Sequence, residues 1–305
     1  MTSRRSRNLG LVTAVALSAA VAAPALAQSA AQLFYERTVM SAADARCHLF
    51  DRPTASALQA GASQARGAAL RAGATSKELR EIQQRALSKA AGVACASPDI
   101  ALAAGRVRTG FAGYARLQKM SYPGDTAAWE ADRAVSARLN MWGLSQTVRF
   151  GYDRMTFGIA SGPTQAPALT AMVSFADGAV PYAARLVLRD SDRAGEAYLD
   201  KRGADSNGRI PLAARMPPGG ATTAFAAQAR DAAPRDLLSA DMKSGWSFRF
   251  PLAASEALAQ LDPREAAAVE FLFANRSGGD TVRRAYLEVG DFAAGRAFLR
   301  ATQSN

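Results

Sequence analysis

The sequence predicts an α+β protein: an N-terminal disulfide-stapled helical bundle, then a mostly antiparallel β-sandwich-like domain that closes on a C-terminal helix. Three observations predict it. Apolar residues recur at helical spacing between residues 30 and 120, and at alternate positions after Met141. The chain has two cysteines, Cys47 and Cys95, both in the helical stretch. Explicit helix caps punctuate the first half, and Pro/Gly/Asn turn signals the second. The expected organisation is a signal peptide over 1–27, the bundle over 28–120, an aromatic-containing junction over 121–140 and the β-rich domain over 141–305.

Arg4, Arg5 and Arg7 form a basic head with no acid before Glu36, followed by an apolar stretch from Leu9 to Ala23. Pro24-Ala25-Leu26-Ala27 ends in a small-x-small pattern, so the segment reads as a secretory signal cleaved between Ala27 and Gln28. A retained membrane anchor would need about 20 apolar residues, more than this run supplies. Ser3-Arg4-Arg5 is part of a twin-arginine pattern. Arg7 and Asn8 stand where that signal carries large apolar residues, which favours the general secretory route. The expected product is periplasmic or secreted, with no transmembrane segment after cleavage.

Within 28–120, Met40, Ala43, Cys47 and Phe50 recur on one helical face, and Pro53 is expected to end that helix and begin the next. Leu58, Ala62, Ala65 and Ala69 mark the second helix, with Gly73 as its stop. Thr75 and Glu78 form a capping-box pattern ahead of Leu79, Ile82, Ala86, Ala90 and Val93. Ser97-Pro98-Asp99 opens a fourth helix, with serine as cap, proline at the first position and an acid at the positive end of the dipole. The sequence holds 71 alanines, close to half of its 49% hydrophobic residues. Each buries little, so a bundle of about 90 residues benefits from a covalent staple. In an oxidising compartment Cys47 and Cys95 pair, closing a loop worth roughly 4 kcal/mol in chain entropy.

Tyr122-Pro123-Gly124-Asp125 is a turn signal, after which Asp125 is expected to cap a helix carrying Trp129, Val135 and Leu139. Tyr122, Trp129 and Trp142 gather where the two halves meet. Two readings stand: a junction surface on which a sugar or cell-wall ligand stacks, and aromatic filling of the interface, which is favoured. Beyond Met141, strands are expected around Val148–Tyr152 and Met155–Ile159 and over Leu169–Phe175, Ala183–Arg189, Thr222–Ala229, Gly245–Phe250 and Val282–Val289. Asn207-Gly208 signals a hairpin turn. Asp262-Pro263-Arg264-Glu265 gives one turn and then a strand through Val269–Phe273, and Asp291 is expected to cap the last helix.

Chemistry-bearing motifs are sparse. One histidine excludes a multi-histidine metal site, and two cysteines exclude a zinc ribbon. The sequence has no Gly-x-Ser-x-Gly elbow, P-loop or dinucleotide fingerprint, and neither cofactor nor metal is expected. Asp190-Ser191-Asp192 resembles half a calcium loop but lacks the closing acid, Lys201 standing there; Asp205-Ser206-Asn207-Gly208 offers similar oxygens. Lysines and arginines exceed acids by 37 to 26, with 15 against 9 over residues 28–140 and 19 against 17 over 141–305. Basic residues are interleaved with acids, which argues against a nucleic-acid groove. The reading that follows is a non-enzymatic, envelope-associated binding or structural protein. Its partner would be an envelope protein, peptidoglycan or anionic lipopolysaccharide, drawn by the basic helical half. The alternative is a cell-envelope hydrolase using carboxylates at the junction, with Glu130 and Asp132 as candidates.

Overall fold

A computed structural model describes residues 22–199, 204, 209–240, 242–275 and 278–301, with side chains from residue 28 onward. The basic head, most of the apolar stretch and the Asn207-Gly208 turn lie outside the described residues. Four helices come first: α1 (Ala22–Cys47), α2 (Arg52–Arg71), α3 (Ser76–Ala91) and α4 (Pro98–Ala115). Helix α1 spans the position of the expected cleavage.

Local chemistry accounts for the helix ends. Asp51 accepts from the Thr54 amide at 2.9 Å, with Pro53 in the first turn of α2. Thr75 and Glu78 complete the reciprocal capping box of α3. Ser97 accepts from the Asp99 amide at the start of α4. Pro53 does not terminate α1, which stops six residues earlier. His48 adopts φ 50° and its amide returns to the Asp44 carbonyl at 2.8 Å. This is the left-handed closure that usually takes glycine. Cys47 and Cys95, 48 residues apart, form the expected disulfide. It joins the last residue of α1 to the loop after α3. Arg46 reinforces the joint by donating to the carbonyls of Ala91, at 2.7 Å, and Val93 at the end of α3.

The remaining chain forms β1 (Lys119–Tyr122), β2 (Trp129–Asp132), β3 (Met141–Phe150), β4 (Asp153–Gly162), β5 (Gln165–Ser174) and β6 (Ala183–Arg189). Then follow β7 (Thr222–Ala226), β8 (Ala229–Ala232), β9 (Trp246–Arg249), helix α5 (Leu252–Gln260), β10 (Ala266–Ala274), β11 (Asp280–Glu288) and helix α6 (Phe292–Leu299). The strands build a seven-stranded sheet, β1-β2-β3-β4-β5-β9-β8, and a four-stranded sheet, β11-β10-β6-β7. All pairings are antiparallel. Phe157, Val173 and Phe248 from one sheet share a core with Leu186, Val269 and Phe271 from the other. The Phe248 and Phe271 rings lie 5.6 Å apart. Among the described residues no helix is long and apolar enough to cross a membrane.

One strand expectation changes in detail. The stretch expected as one strand over Thr222–Ala229 is divided between the sheets: Ala227 donates to Ala184 of β6, and Gln228 donates to Arg249 of β9. One length of chain therefore edges both sheets. In β4, Gly158 sits opposite a register shift in β3, and a Cβ there would lie 1.9 Å from the Leu144 carbonyl oxygen. Only glycine permits that approach.

Helix α2 packs against α1, α4 and α6, so the helical layer meets the β-rich half through its last helix. Ser56 of α2 donates to the Ala297 carbonyl at 2.6 Å, joining the Arg300 amide on the same acceptor at the end of α6. Asp291 stands at the start of α6 but does not cap it. Its carboxylate is held instead by Arg71 of α2 at 2.9 Å. Replacing both cysteines by serine is expected to cost on the order of 4 kcal/mol in urea unfolding. Reductant should produce the same loss in the unmodified chain; a change below about 1 kcal/mol would show the staple to be redundant.

Candidate functional site

The junction is built differently from its sequence reading. Trp129 lies on strand β2, not on a helix capped by Asp125. The cause is a distant carboxylate. Glu288, fully buried at the end of β11, accepts from the amides of Asp125 at 2.7 Å, Thr126 at 2.7 Å and Ala127 at 3.2 Å, and from the Thr126 hydroxyl at 2.7 Å. The amides that could have opened a helix are thereby fixed in a turn. Gly124 is needed there, because a Cβ would stand 2.8 Å from the Glu288 carboxylate.

The three junction aromatics do not form one surface. Trp129 is buried, donates to the Val289 carbonyl at 2.9 Å and packs on Phe292 at 5.1 Å. Tyr122 is buried beside Phe298, and its hydroxyl meets that of Tyr114. Burial pushes the pKa of both tyrosines up. Trp142 is half-buried in a separate cluster with Met172 and Leu237. Tyr122 and Trp129 are thus interface filling, with no area left for a stacked ligand.

Glu130 and Asp132 do share a face, because residues two apart on a strand point the same way. That face is directed outward. Glu130 accepts from Ser121 at 2.8 Å, and Asp132 pairs with Lys119 at 3.1 Å, each across the β1–β2 ladder. Neither lines a described cavity.

Arg133, which sequence reasoning passed over, occupies the centre of the junction. Its Nε donates to Phe298 of α6 at 2.8 Å, and its Nη1 donates to Ala115 and Leu117 at the end of α4, both at 2.9 Å. The guanidinium lies 3.6 Å from the centre of the Phe298 ring. Burial lowers its pKa. Among the described residues no carboxylate pairs with it; carbonyls at the ends of two helices and an aromatic face surround the charge, while Nη2 is buried without a hydrogen-bond partner. Arg189 and Glu270, by contrast, sit in ion pairs. Arg189 binds Glu265 through both nitrogens of a fork, at 2.7 and 2.9 Å. Glu270 accepts from Arg185 and Arg284 of the flanking strands, each at 2.5 Å.

Of the concave regions away from Glu130 and Asp132, two have volumes of 520 and 430 Å³. A cavity of 520 Å³ lies where α2 and α3 face β6, β7 and α5, lined by Arg66, Arg80, Gln83, Asp190, Asp192 and Phe225 among others. Arg66 is occupied by the carbonyls of Gln260 and Leu261. Asp190 is spent on its own turn, accepting from the amides of Asp192 and Arg193. The positive end of α3 is likewise filled by Glu196, which accepts from Ser76 and Lys77. The Asp205–Gly208 oxygens lie outside the described residues. Among the described residues no group of three or more His, Cys, Asp or Glu is placed to hold a metal ion. The second region is a groove of 430 Å³ on the helical layer, lined by α1, α2, α3 and α4.

Comparison with family models, curated proteins and solved structures finds no match for this chain.

Arg133→Met should lower stability by on the order of 3 kcal/mol, because it takes a donor from the carbonyls of Ala115, Leu117 and Phe298, of which Phe298 keeps the Ser56 hydroxyl. An urea midpoint unchanged from the parent would refute its central role. At Glu270, burial favours the neutral acid, but the hydrogen bonds from Arg284 and Arg185 outweigh it and lower the pKa. The unfolded chain therefore takes up a proton more readily, and this stability is lost as pH falls below the ordinary value of 4.5. Glu270→Gln should weaken the fold at neutral pH and flatten its loss in acid, read from urea midpoints at each pH.

Proposed function

We propose that the chain is exported and acts in the periplasm or outside the cell as a non-catalytic binding protein of the cell envelope. The observation that carries the reading is the disulfide between Cys47 and Cys95, which staples an alanine-rich helical layer. Such a bond is kept in oxidising compartments and rarely in reducing ones. The basic, apolar and small-residue order of the first 27 residues supports the same destination. On the binding side, residues 28–140 carry 15 basic against 9 acidic side chains. The acids at the junction are engaged in holding the fold together. An anionic envelope component, whether lipopolysaccharide, peptidoglycan or an envelope protein, suits that balance.

Fractionation of producing cells, with mass spectrometry of the recovered protein, tests destination and staple together. The expected product begins at Gln28, lies outside the cytoplasm and gains two thiols on reduction. A full-length cytoplasmic chain with free thiols would overturn the reading. Retention on purified envelope fractions tests binding; passage through all of them would overturn that part.

A further inference from the structure

A cavity of 270 Å³ lies where the helical layer meets the end of the chain, bounded by α1, α2 and α3 on one side and by α5 and α6 on the other. Three arginines line it: Arg66 of α2, Arg296 of α6, and Arg300 just past the end of α6. Its described lining residues include no aspartate and no glutamate. The rest of its polar wall is neutral, with Gln59 of α2, Gln83 of α3 and Ser41 of α1 contributing amide and hydroxyl groups. The Ser41 hydroxyl is buried and has no hydrogen-bond partner among the described residues.

The nearby acids do not balance this charge. Arg296 reaches Glu256 only at 3.9 Å, with the glutamate side chain 58% exposed, and donates to the Ser255 carbonyl at 3.4 Å. Both contacts stand at the weak end of their kind. Arg66 feels the charges of Asp262 and Glu265, but those acids are held by Arg264 and Arg189, each at 2.7 Å. Arg66 itself donates to the carbonyls of Gln260 and Leu261. Arg300 donates to the side-chain carbonyl of Gln59 at 2.8 Å, a neutral acceptor. Burial lowers the pKa of Arg66 and of Arg296, and the neighbouring charge of Arg300 lowers that of Arg296 further.

Charge selects the occupant. Guanidinium groups drawn out of water without a carboxylate favour an anion, which restores the interactions that burial removes. Their fork of donors matches the oxygens of a phosphate, and amide and hydroxyl groups meet the oxygens that remain. The cavity shares Arg66 and Gln83 with the 520 Å³ cavity between α3 and β7, where Arg80 adds another cation, so a ligand larger than a bare ion has a path beyond it. We infer that this cavity binds a phosphate-bearing ligand, with Arg296 and Arg300 on the phosphate and Arg66 on the opposite, α2 wall. The inference deepens the envelope-binding reading and rests on it for the source of the ligand alone.

Inorganic pyrophosphate, titrated calorimetrically into the purified, disulfide-bonded protein at constant ionic strength, is expected to bind saturably at one site and to raise Tm. Arg300→Glu, at an exposed position, should weaken binding by at least about tenfold. Arg296→Gln should do the same, with circular dichroism reporting its fold. Arg106→Glu makes the same charge change on an exposed part of α4 outside the cavity and should leave binding within about twofold of the parent. Absence of saturable binding would overturn the inference, as would binding indifferent to Arg300→Glu or weakened equally by Arg106→Glu. Citrate bound as tightly as pyrophosphate would overturn the choice of phosphate. Displacement of pyrophosphate by lipopolysaccharide would trace the phosphate to an envelope glycolipid, and displacement by glucose 6-phosphate alone to a soluble ester. Displacement by neither would reduce the site to an adventitious ion and overturn the inference. A cytoplasmic protein that binds pyrophosphate would refute export and leave the cavity standing; an exported protein that does not bind would do the reverse.

Discussion

The two halves of this protein are joined around one buried cation. Arg133 follows the last residue of β2 and reaches the carbonyl ends of α4 and α6 at once, with its guanidinium over the Phe298 ring. A carboxylate partner would neutralise the charge but fix only one neighbour. Helix-end carbonyls neutralise it partially and fix three elements. The position of α6 in turn sets the seat of α2, through Ser56 and the Arg71–Asp291 pair. Most of the helical layer is therefore positioned by contacts that converge on an eight-residue helix at the far end of the chain.

How much of this could be read from the amino-acid order depends on how far away the deciding partner lies. The caps at Asp51, Thr75 and Ser97 are satisfied within three residues; those at Thr75 and Ser97 were legible, while Asp51 was passed over in favour of the neighbouring Pro53. The disulfide was legible because only two cysteines exist. The β1–β2 hairpin was misread as a helix because its turn is dictated by Glu288, more than 160 residues downstream. Asp291 was misread as a cap for the same kind of reason: its partner, Arg71, is 220 residues away. Strand positions follow from side-chain alternation, whereas the division of 222–232 between two sheets does not, since both halves alternate alike.

The candidate site was less legible than the fold. Tyr122, Trp129 and Trp142 suggested a ligand surface by their type, but aromatics also fill interfaces, and pattern alone does not separate the two uses. One signal was available. Glu270 between Val269 and Phe271, and Glu288 between Leu287 and Val289, are acids embedded in apolar strands. Such acids call for specific partners. The groove between α1 and α4 left a fainter trace, because its apolar lining looks like ordinary helical core until the helices are placed.

The long reach of the junction has a consequence for the order of assembly. Ser56 meets Ala297 across 241 residues, and Arg133 meets Phe298 across 165. The first helices cannot take their final seat until the last turn of the chain has emerged and docked. Closing loops of that size is slow, and it leaves the exposed flank of α2 open in the meantime. The Cys47–Cys95 bond needs only the first 95 residues. It can hold α1 and α3 together while the rest of the chain arrives, acting as a scaffold during maturation as well as a brace in the finished protein.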